Sequence, residues 1–254
     1  MSSKSILELQ NFIDNNKNIR SFFKDYANID EDLLVKKAFE IYTKAMDVHQ
    51  YRCIASFRFL TPRILNNPFY PDVKNNWNNK TIVDIGCGFG TDLRRMHFDG
   101  ASQNSLSGLD IEDTFINLGY ELFNDRNTNK MTFLTGNIVD SNIIDLLNLE
   151  QKFDIIYSSA VIHLLDKEEI SELLTNLYKI LKKGGVFFGQ TTGLSEPHLI
   201  LDSSSKPRFL HSKDSLQKEF EIHGFTNIRI NVTDHTSNGN SSSHRKMLYF
   251  FCNK

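Results

Sequence analysis

From Thr81 onward the chain repeats one pattern: a short apolar run, a polar turn, then a segment with apolar residues three and four apart. The runs are "KTIVDIG", "SLSGLDI", "MTFLTGN", "KFDIIYSSA" and "VFFGQTT". Between them lie "TDLRRMHFDG", "EDTFINLGYELFND", "SNIIDLLNLE" and "KEEISELLTNLYKILKKGG". Runs of this length read as strands and the intervening segments as helices. Strands joined through helices lie parallel, because such crossovers do not link antiparallel neighbours economically. Ser141 is the expected cap of the third helix, and Gly184 and Gly185 the expected stop of the fourth.

The two ends of the chain depart from this alternation. After an irregular stretch come a helix, "KDSLQKEFEIHG", and two strand-like runs, "TNIRINVT" and "KMLYFFCN". Only the polar link "DHTSNGNSSSHR" separates those runs, which predicts an antiparallel hairpin with the Asn/Ser-rich link as a mobile tip. Upstream, "SILELQNFI" and "DEDLLVKKAFEIYTKAM" have helical spacing, with Asp30 or Asp32 as cap of the second. Pro62, Pro68 and Pro71 then end this helical prelude in an irregular connector.

Bulk numbers bound the function classes. A chain of 254 residues suits one large α/β domain with appended helices. Its 29 basic and 31 acidic residues leave a net charge of −2, with no cationic surplus to hold a nucleic acid or an anionic membrane surface. Cys53, Cys87 and Cys252 are far apart and lack metal-ligand spacing, so no metal is expected and a reduced, cytoplasmic setting is. The N-terminus does not read as a signal peptide, and no apolar run reaches the roughly 18 residues of a membrane span.

The first strand ends in "VDIGCGFG". Gly86, Gly88 and Gly90 let backbone approach a ligand, but nicotinamide dinucleotides, flavins, nucleoside triphosphates and S-adenosylmethionine are all met this way. Asp110, at the end of "SGLDIED", suits a bidentate contact to ribose hydroxyls, which dinucleotides and S-adenosylmethionine share. Asp84 discriminates. A carboxylate two residues before Gly86 repels a pyrophosphate but suits the ammonium and sulfonium of S-adenosylmethionine. Spacing G-x-G-x-G and the lack of a Lys-Ser/Thr pair agree. In "TGNIVD", Asn137 is placed to bond an adenine amino group and Ile138 to pack on the ring. The end of the fourth strand, Tyr157 to Ala160, is expected to face the methyl group.

In this order, VDIGCGFG, GLDIED, TGNIVD, FDIIYSSAVIHLL and LKKGGVFFG resemble the class I S-adenosylmethionine-dependent methyltransferases over residues 80 to 192. A narrower resemblance covers most of residues 50 to 225. "YRCIASFRFLTPRILNNPFYPDV", "GTDLRRMHFDGA", "GLDIEDTFINLGYELFND" and "RFLHSKDSLQKEF" look like the fungal-type tailoring methyltransferases of polyketide and meroterpenoid pathways. The resemblance implies an α/β, Rossmann-like, seven-stranded sheet, parallel but for a C-terminal antiparallel hairpin, with helices on both faces and an N-terminal helical lid. It implies a lid segment over 1–75, a cofactor-binding domain over 76–254, and a lid insert at 193–212. S-adenosylmethionine is the implied cofactor, held by Asp84, Gly86, Gly88, Asp110, Ile111, Asn137, Ile138 and Ser158. Tyr51 and Arg58 would fold over it, with Arg58 toward its carboxylate.

The implied reaction moves a methyl group to an oxygen, carboxylate or hydroxyl, of a small metabolite. Methyl transfer is an in-line displacement, so positioning and desolvation supply most of the catalysis. A carboxylate acceptor needs no base; for a hydroxyl, His163 just past the fourth strand is the best candidate, as base or as orienting residue. His198 and His211 are weaker candidates. Phe22, Phe23, Tyr26 and Phe69 are candidates for the pocket wall, with packing in the core as the alternative. "YSSA" lacks the proline-aromatic turn of base-modifying amino-methylases, and Asp84 with the antiparallel tail disfavours a nicotinamide dehydrogenase. A silent S-adenosylmethionine-binding protein, or an N-methyltransferase of a small amine, is the competing reading.

Overall fold

Strand β1 (Ile82–Ile85) is buried at all four positions, the signature of a strand covered on both faces. It belongs to a seven-stranded sheet of order β3-β2-β1-β4-β5-β9-β8. The others are β2 (Leu106–Asp110), β3 (Thr132–Thr135), β4 (Phe153–Ser159), β5 (Leu181–Leu194), β8 (Thr226–Ser237) and β9 (Asn240–Asn253). β1 pairs β4, β4 pairs β5 and β2 pairs β3, all parallel; β9 runs antiparallel to both β5 and β8. The expected parallel sheet closed by an antiparallel hairpin is therefore present. The computed structural model describes residues 5–201, 206–237 and 240–254. Among them no helix is long and apolar enough to cross a membrane.

The chain forms two compact units. The first comprises the stretch through Arg63 together with Cys87–Thr135; the second comprises Ile64–Gly86 and Gly136–Lys254. The first unit holds α1 (Ile6–Asp14), α2 (Lys17–Ala27), α3 (Glu31–Val48), α4 (Arg52–Ala55), α6 (Thr91–Phe98) and α7 (Asp113–Phe123). A capping box between Ser5 and Glu8 starts α1; Asp30 takes the cap position of α3 without a side-chain bond to the helix. All of these helices but α6 share one apolar core, in which Leu9, Phe22, Phe23, Leu34 and Ile41 meet Phe115, Leu122 and Phe123. Phe23 stacks on Phe123 with centroids 4.8 Å apart.

The second unit holds α5 (Tyr70–Asn75), α8 (Ile143–Leu147), α9 (Lys167–Ile180) and α10 (Lys213–Ile222). The proline-rich connector is partly regular, since Pro71 opens α5 where a missing N–H does no harm. Its core is aromatic, with Phe187 of β5 against Phe220, Phe225 and Phe250 at 4.9 to 5.8 Å. An Asp166–Glu169 capping box starts α9, and Ser212 caps α10.

Four local expectations need correction. Ser141 does not cap α8: Asn142 holds that position, because the helix starts later and with no side-chain cap bond. Gly184 and Gly185 do not stop α9. The helix ends at Ile180, Leu181 is already extended, and it pairs with Phe153 as the first residue of β5. Part of the irregular stretch is a separate two-stranded antiparallel sheet, β6 (His198–Leu201) and β7 (Pro207–Leu210). Most of the polar link is strand backbone, with Thr236 opposite Ser241 and Ser237 opposite Asn240; residues 238–239 of the expected tip lie outside the described residues.

Candidate functional site

In the first unit the glycine turn is built by side chains. Gly88 has φ +51 and open space where a side chain would begin. Its N–H donates to Asp110 Oδ2 at 2.7 Å, while the Glu112 N–H donates to Asp110 Oδ1 at 3.0 Å. Burial pushes the Asp110 carboxyl above its usual range; the two amide bonds oppose that shift, and the nearby Glu112 carboxylate adds to it. Each Asp110 oxygen carries one of these amide bonds, leaving acceptor capacity on both for further donors. Ile111, the next residue, is 62% exposed, an apolar side chain held in water beside that carboxylate.

The turn is anchored to the N-terminal segment. The Phe89 ring lies between Phe59 at 4.8 Å and Phe115 at 5.4 Å, and Thr91 Oγ1 donates to the Phe59 carbonyl at 2.7 Å. Tyr51 packs its ring 3.9 Å from His49 and 6.0 Å from Phe115. Phe57, with φ +60, is buried against Tyr42, and this strained residue leads directly into Arg58. Burial lowers the pKa of half-buried Arg58, and Arg63 and Arg52 lower it further by repulsion.

In the second unit the corresponding residues sit on the sheet. Asp84 is 3% exposed and lies opposite Tyr157 in the β1–β4 register. Gly86 has φ +74, and a Cβ there would lie 2.4 Å from Val161 Cγ2, so the close approach demands glycine. Ser158 is buried and its hydroxyl donates to the Ile85 carbonyl at 3.1 Å. Ala160 then adopts φ +65, unusual for alanine, and its N–H donates to the Gln190 carbonyl at 2.9 Å. His163 lies in the 3-10 turn Ile162–Leu164, with its N–H and Nδ1 both 3.2 Å from Thr191 Oγ1. Asn137 turns into its own loop, donating to Asp140 Oδ1 at 3.0 Å; Ile138 is buried and its carbonyl accepts from Asn176 at 2.8 Å.

Of the weaker histidines, His198 is exposed on β6. His211 is buried with Nδ1 2.9 Å from Ser215 Oγ; burial, and then Lys167, holds its pKa down to about 4, so it is neutral. The aromatic candidates are packed against other side chains. Phe22 and Phe23 are core residues, the Tyr26 hydroxyl bonds Asp125, and Phe69 packs on Phe251. Helix α2 turns the rings of Phe22, Phe23 and Tyr26 onto Phe123 of α7, which the spacing alone left open.

Sequence reasoning missed Arg94, Asp125, Gln190 and Asn67. Arg94 is 1% exposed and ion-paired to Asp125; Gln190 Nε2 donates to Ser159 Oγ at 3.1 Å; Asn67 Nδ2 donates to the Gly189 carbonyl at 2.7 Å. Arg94 carried one signal: it stands one helical turn after Gly90, between Leu93 and Met96.

Two family profiles match the chain: "Methyltransferase domain" over residues 82–185, and "Meroterpenoid methyltransferase N-terminal domain" over residues 8–60. An O-methyltransferase of Stereocaulon alpinum is 32% identical over 70% of this chain and 54% of its own length. The Asnovolin E/Chermesin D methyltransferase of Aspergillus novofumigatus is 32% identical over 65% of this chain. This chain spans only 54% and 60% of the length of those two relatives. Among solved structures, a Haemonchus contortus phosphoethanolamine N-methyltransferase bound to S-adenosylhomocysteine superposes with TM-score 0.58, over 84% of this chain and 60% of that one, at 16% identity. A Burkholderia thailandensis 1,6-didemethyltoxoflavin-N1-methyltransferase gives 0.53, over 98% and 87%, at 13% identity. The fold and both profiles agree: the chain carries a methyltransferase domain over residues 82–185 and is similar to the S-adenosylmethionine-dependent methyltransferases, with O-methyltransferases among its relatives.

Proposed function

We propose that this protein transfers a methyl group from S-adenosylmethionine to an oxygen, carboxylate or hydroxyl, of a small metabolite. The observation that carries the reading is Asp110, a largely buried carboxylate held by the Gly88 and Glu112 amides with acceptor capacity left on both oxygens. That donor set fits a vicinal diol. Exposed Ile111 beside it offers an apolar face to a purine, and Asn137 and Ile138 are proposed as further adenine contacts. Buried Asp84 and the side-chain-free Gly86 and Gly88 suit a cationic ligand approached by backbone. Ser158 acts by fixing the end of β1, and Tyr51 and Arg58 serve the ligand's amino-acid end.

S-adenosylmethionine supplies an already activated methyl group, so the chain's task is to align and to exclude water. His163, its ring fixed by Thr191, orients the acceptor or takes its proton where that acceptor is a hydroxyl. The N-terminal segment 1–75 and the insert 193–212 choose the acceptor; Leu199 and Leu201, exposed on the β6–β7 sheet, offer the insert an apolar surface. A cytoplasmic location accords with the free thiols of Cys53, Cys87 and Cys252.

Calorimetric titration with S-adenosylhomocysteine tests the cofactor assignment. Binding in the micromolar range is expected, with Asp110→Ala weakening it by about a hundredfold, as loss of a charge-assisted bidentate contact implies. No binding to the unsubstituted protein overturns the reading. Transfer of labelled methyl to a panel of carboxylic acids and phenols then separates an enzyme from a silent binding protein.

A further inference from the structure

We propose that Arg94 is a positioning residue that sets cofactor affinity by fixing the backbone of the glycine turn, and that it carries the N-terminal helices into that task. The proposal rests on the cofactor reading above. Arg94 Nη1 donates to the Phe89 carbonyl at 2.7 Å and the Gly90 carbonyl at 3.3 Å. Its Nε and Nη2 meet Asp125 Oδ2 and Oδ1 at 2.7 and 2.8 Å, a bidentate pair. The guanidinium carbon lies 4.5 Å from the centre of the Phe123 ring. The fork thus binds a carboxylate with one side and two turn carbonyls with another, which a lysine cannot reproduce.

The acceptors give the arrangement its meaning. A buried ion pair is weak evidence for stability, since an apolar pair of similar volume is often as good. What an apolar pair cannot do is satisfy buried carbonyls. Those of Phe89 and Gly90 follow Gly88 directly; that of Gly90 also accepts the Arg94 backbone N–H at 3.1 Å, so the Phe89 carbonyl is the one that depends on the side chain, and the Gly90 N–H closes the turn on the Cys87 carbonyl at 2.8 Å. Helix α7 makes room for the same carbonyl: a Cβ on Gly119 would lie 2.3 Å from the Phe89 oxygen. With these carbonyls fixed, the Gly88 N–H stays on Asp110. From the other direction, Asp125 also accepts from the Tyr26 hydroxyl of α2 at 3.2 Å and from Asn129 at 2.8 Å. A continuous chain of bonds therefore runs from α2 through Asp125 and Arg94 to the turn.

The test compares S-adenosylhomocysteine affinity, melting temperature and steady-state kinetics in the full chain. Arg94→Lys is expected to weaken binding about tenfold or more, because the carbonyls and Asp125 can no longer be held together. Tyr26→Phe, which removes one hydroxyl and keeps the ring, is expected to weaken it about threefold. Both raise KM for S-adenosylmethionine and leave KM for the acceptor in place. A lowered melting temperature with binding within twofold of the unsubstituted protein would assign Arg94 a structural role only and overturn the proposal. Should Arg94→Lys fail to fold, unchanged affinity in Tyr26→Phe overturns it by itself. Failure of the unsubstituted protein to bind removes the cofactor reading instead.

Discussion

In the unit that carries Gly88, side chains hold the backbone: Arg94 takes the carbonyls of Phe89 and Gly90, Asp110 takes the Gly88 N–H, and two rings hold Phe89. In the unit that carries Ser158, backbone holds backbone, through the ladders of β1, β4, β5 and β9, and polar side chains such as Ser158 and Asn67 add single bonds to carbonyls already in the sheet. A turn has few hydrogen bonds of its own, so its shape depends on a few buried polar groups. A sheet spreads the same burden over many equivalent bonds. Single substitutions should therefore damage the first arrangement more than the second, and in the first they should damage binding along with stability.

The largest effect is expected from Asp125→Leu, which leaves the Arg94 charge buried without its partner; a loss of about 3–5 kcal/mol in denaturant unfolding follows. A loss below about 1 kcal/mol would break the comparison, since it would mean that the turn does not need the pair. Next comes pH. His211 is neutral in the fold with a pKa near 4, whereas the unfolded chain binds a proton below about 6.5. The unfolded state thus holds more protons between those values, and stability falls as pH drops from about 6.5 to 4, by on the order of 2–3 kcal/mol, then levels. Melting curves of the protein and of His211→Leu should differ in that slope; identical slopes would place the titration elsewhere.

Gly119→Ala should cost about 2 kcal/mol although alanine favours a helix, because the new methyl group meets the Phe89 carbonyl. Weaker S-adenosylhomocysteine binding should accompany it, and a stabilised protein would show that the turn tolerates displacement. Ser158→Ala is the mildest, about 1 kcal/mol for the lost bond to the Ile85 carbonyl. A larger loss there would show that the sheet depends on its side chains as the turn does.

The sequence made legible what repeats. Apolar periodicity located β1 to β5 and the helices between them, and the acid at Asp110 with glycines before it pointed to a nucleoside. Sheet β6–β7 escaped because strands of only four residues are too short to show a period. The end of α9 was misplaced because Leu181 suits a helix and a strand equally, and pairing with Phe153 decided the matter. Arg94 and Asp125 stand 31 residues apart, and a charged residue next to apolar ones gives no sign of which carbonyls it will meet. The rings of α2 showed their spacing, but which element they would pack against depended on α7.

The sheet also has two borders, β3 and β8, and strand borders are where chains stick to one another. Strand β3 has only four residues. Strand β8 is long, but Asn227 adopts φ +51 and the ladder to β9 slips between Thr226 and Arg229. The bulge twists the start of that border out of line, and Arg229 sets a charge next to it. An incoming strand would find no straight run of free amides and carbonyls there until past the bulge. The irregularity that interrupts the hairpin thus shortens the regular border that β8 presents to a neighbouring strand.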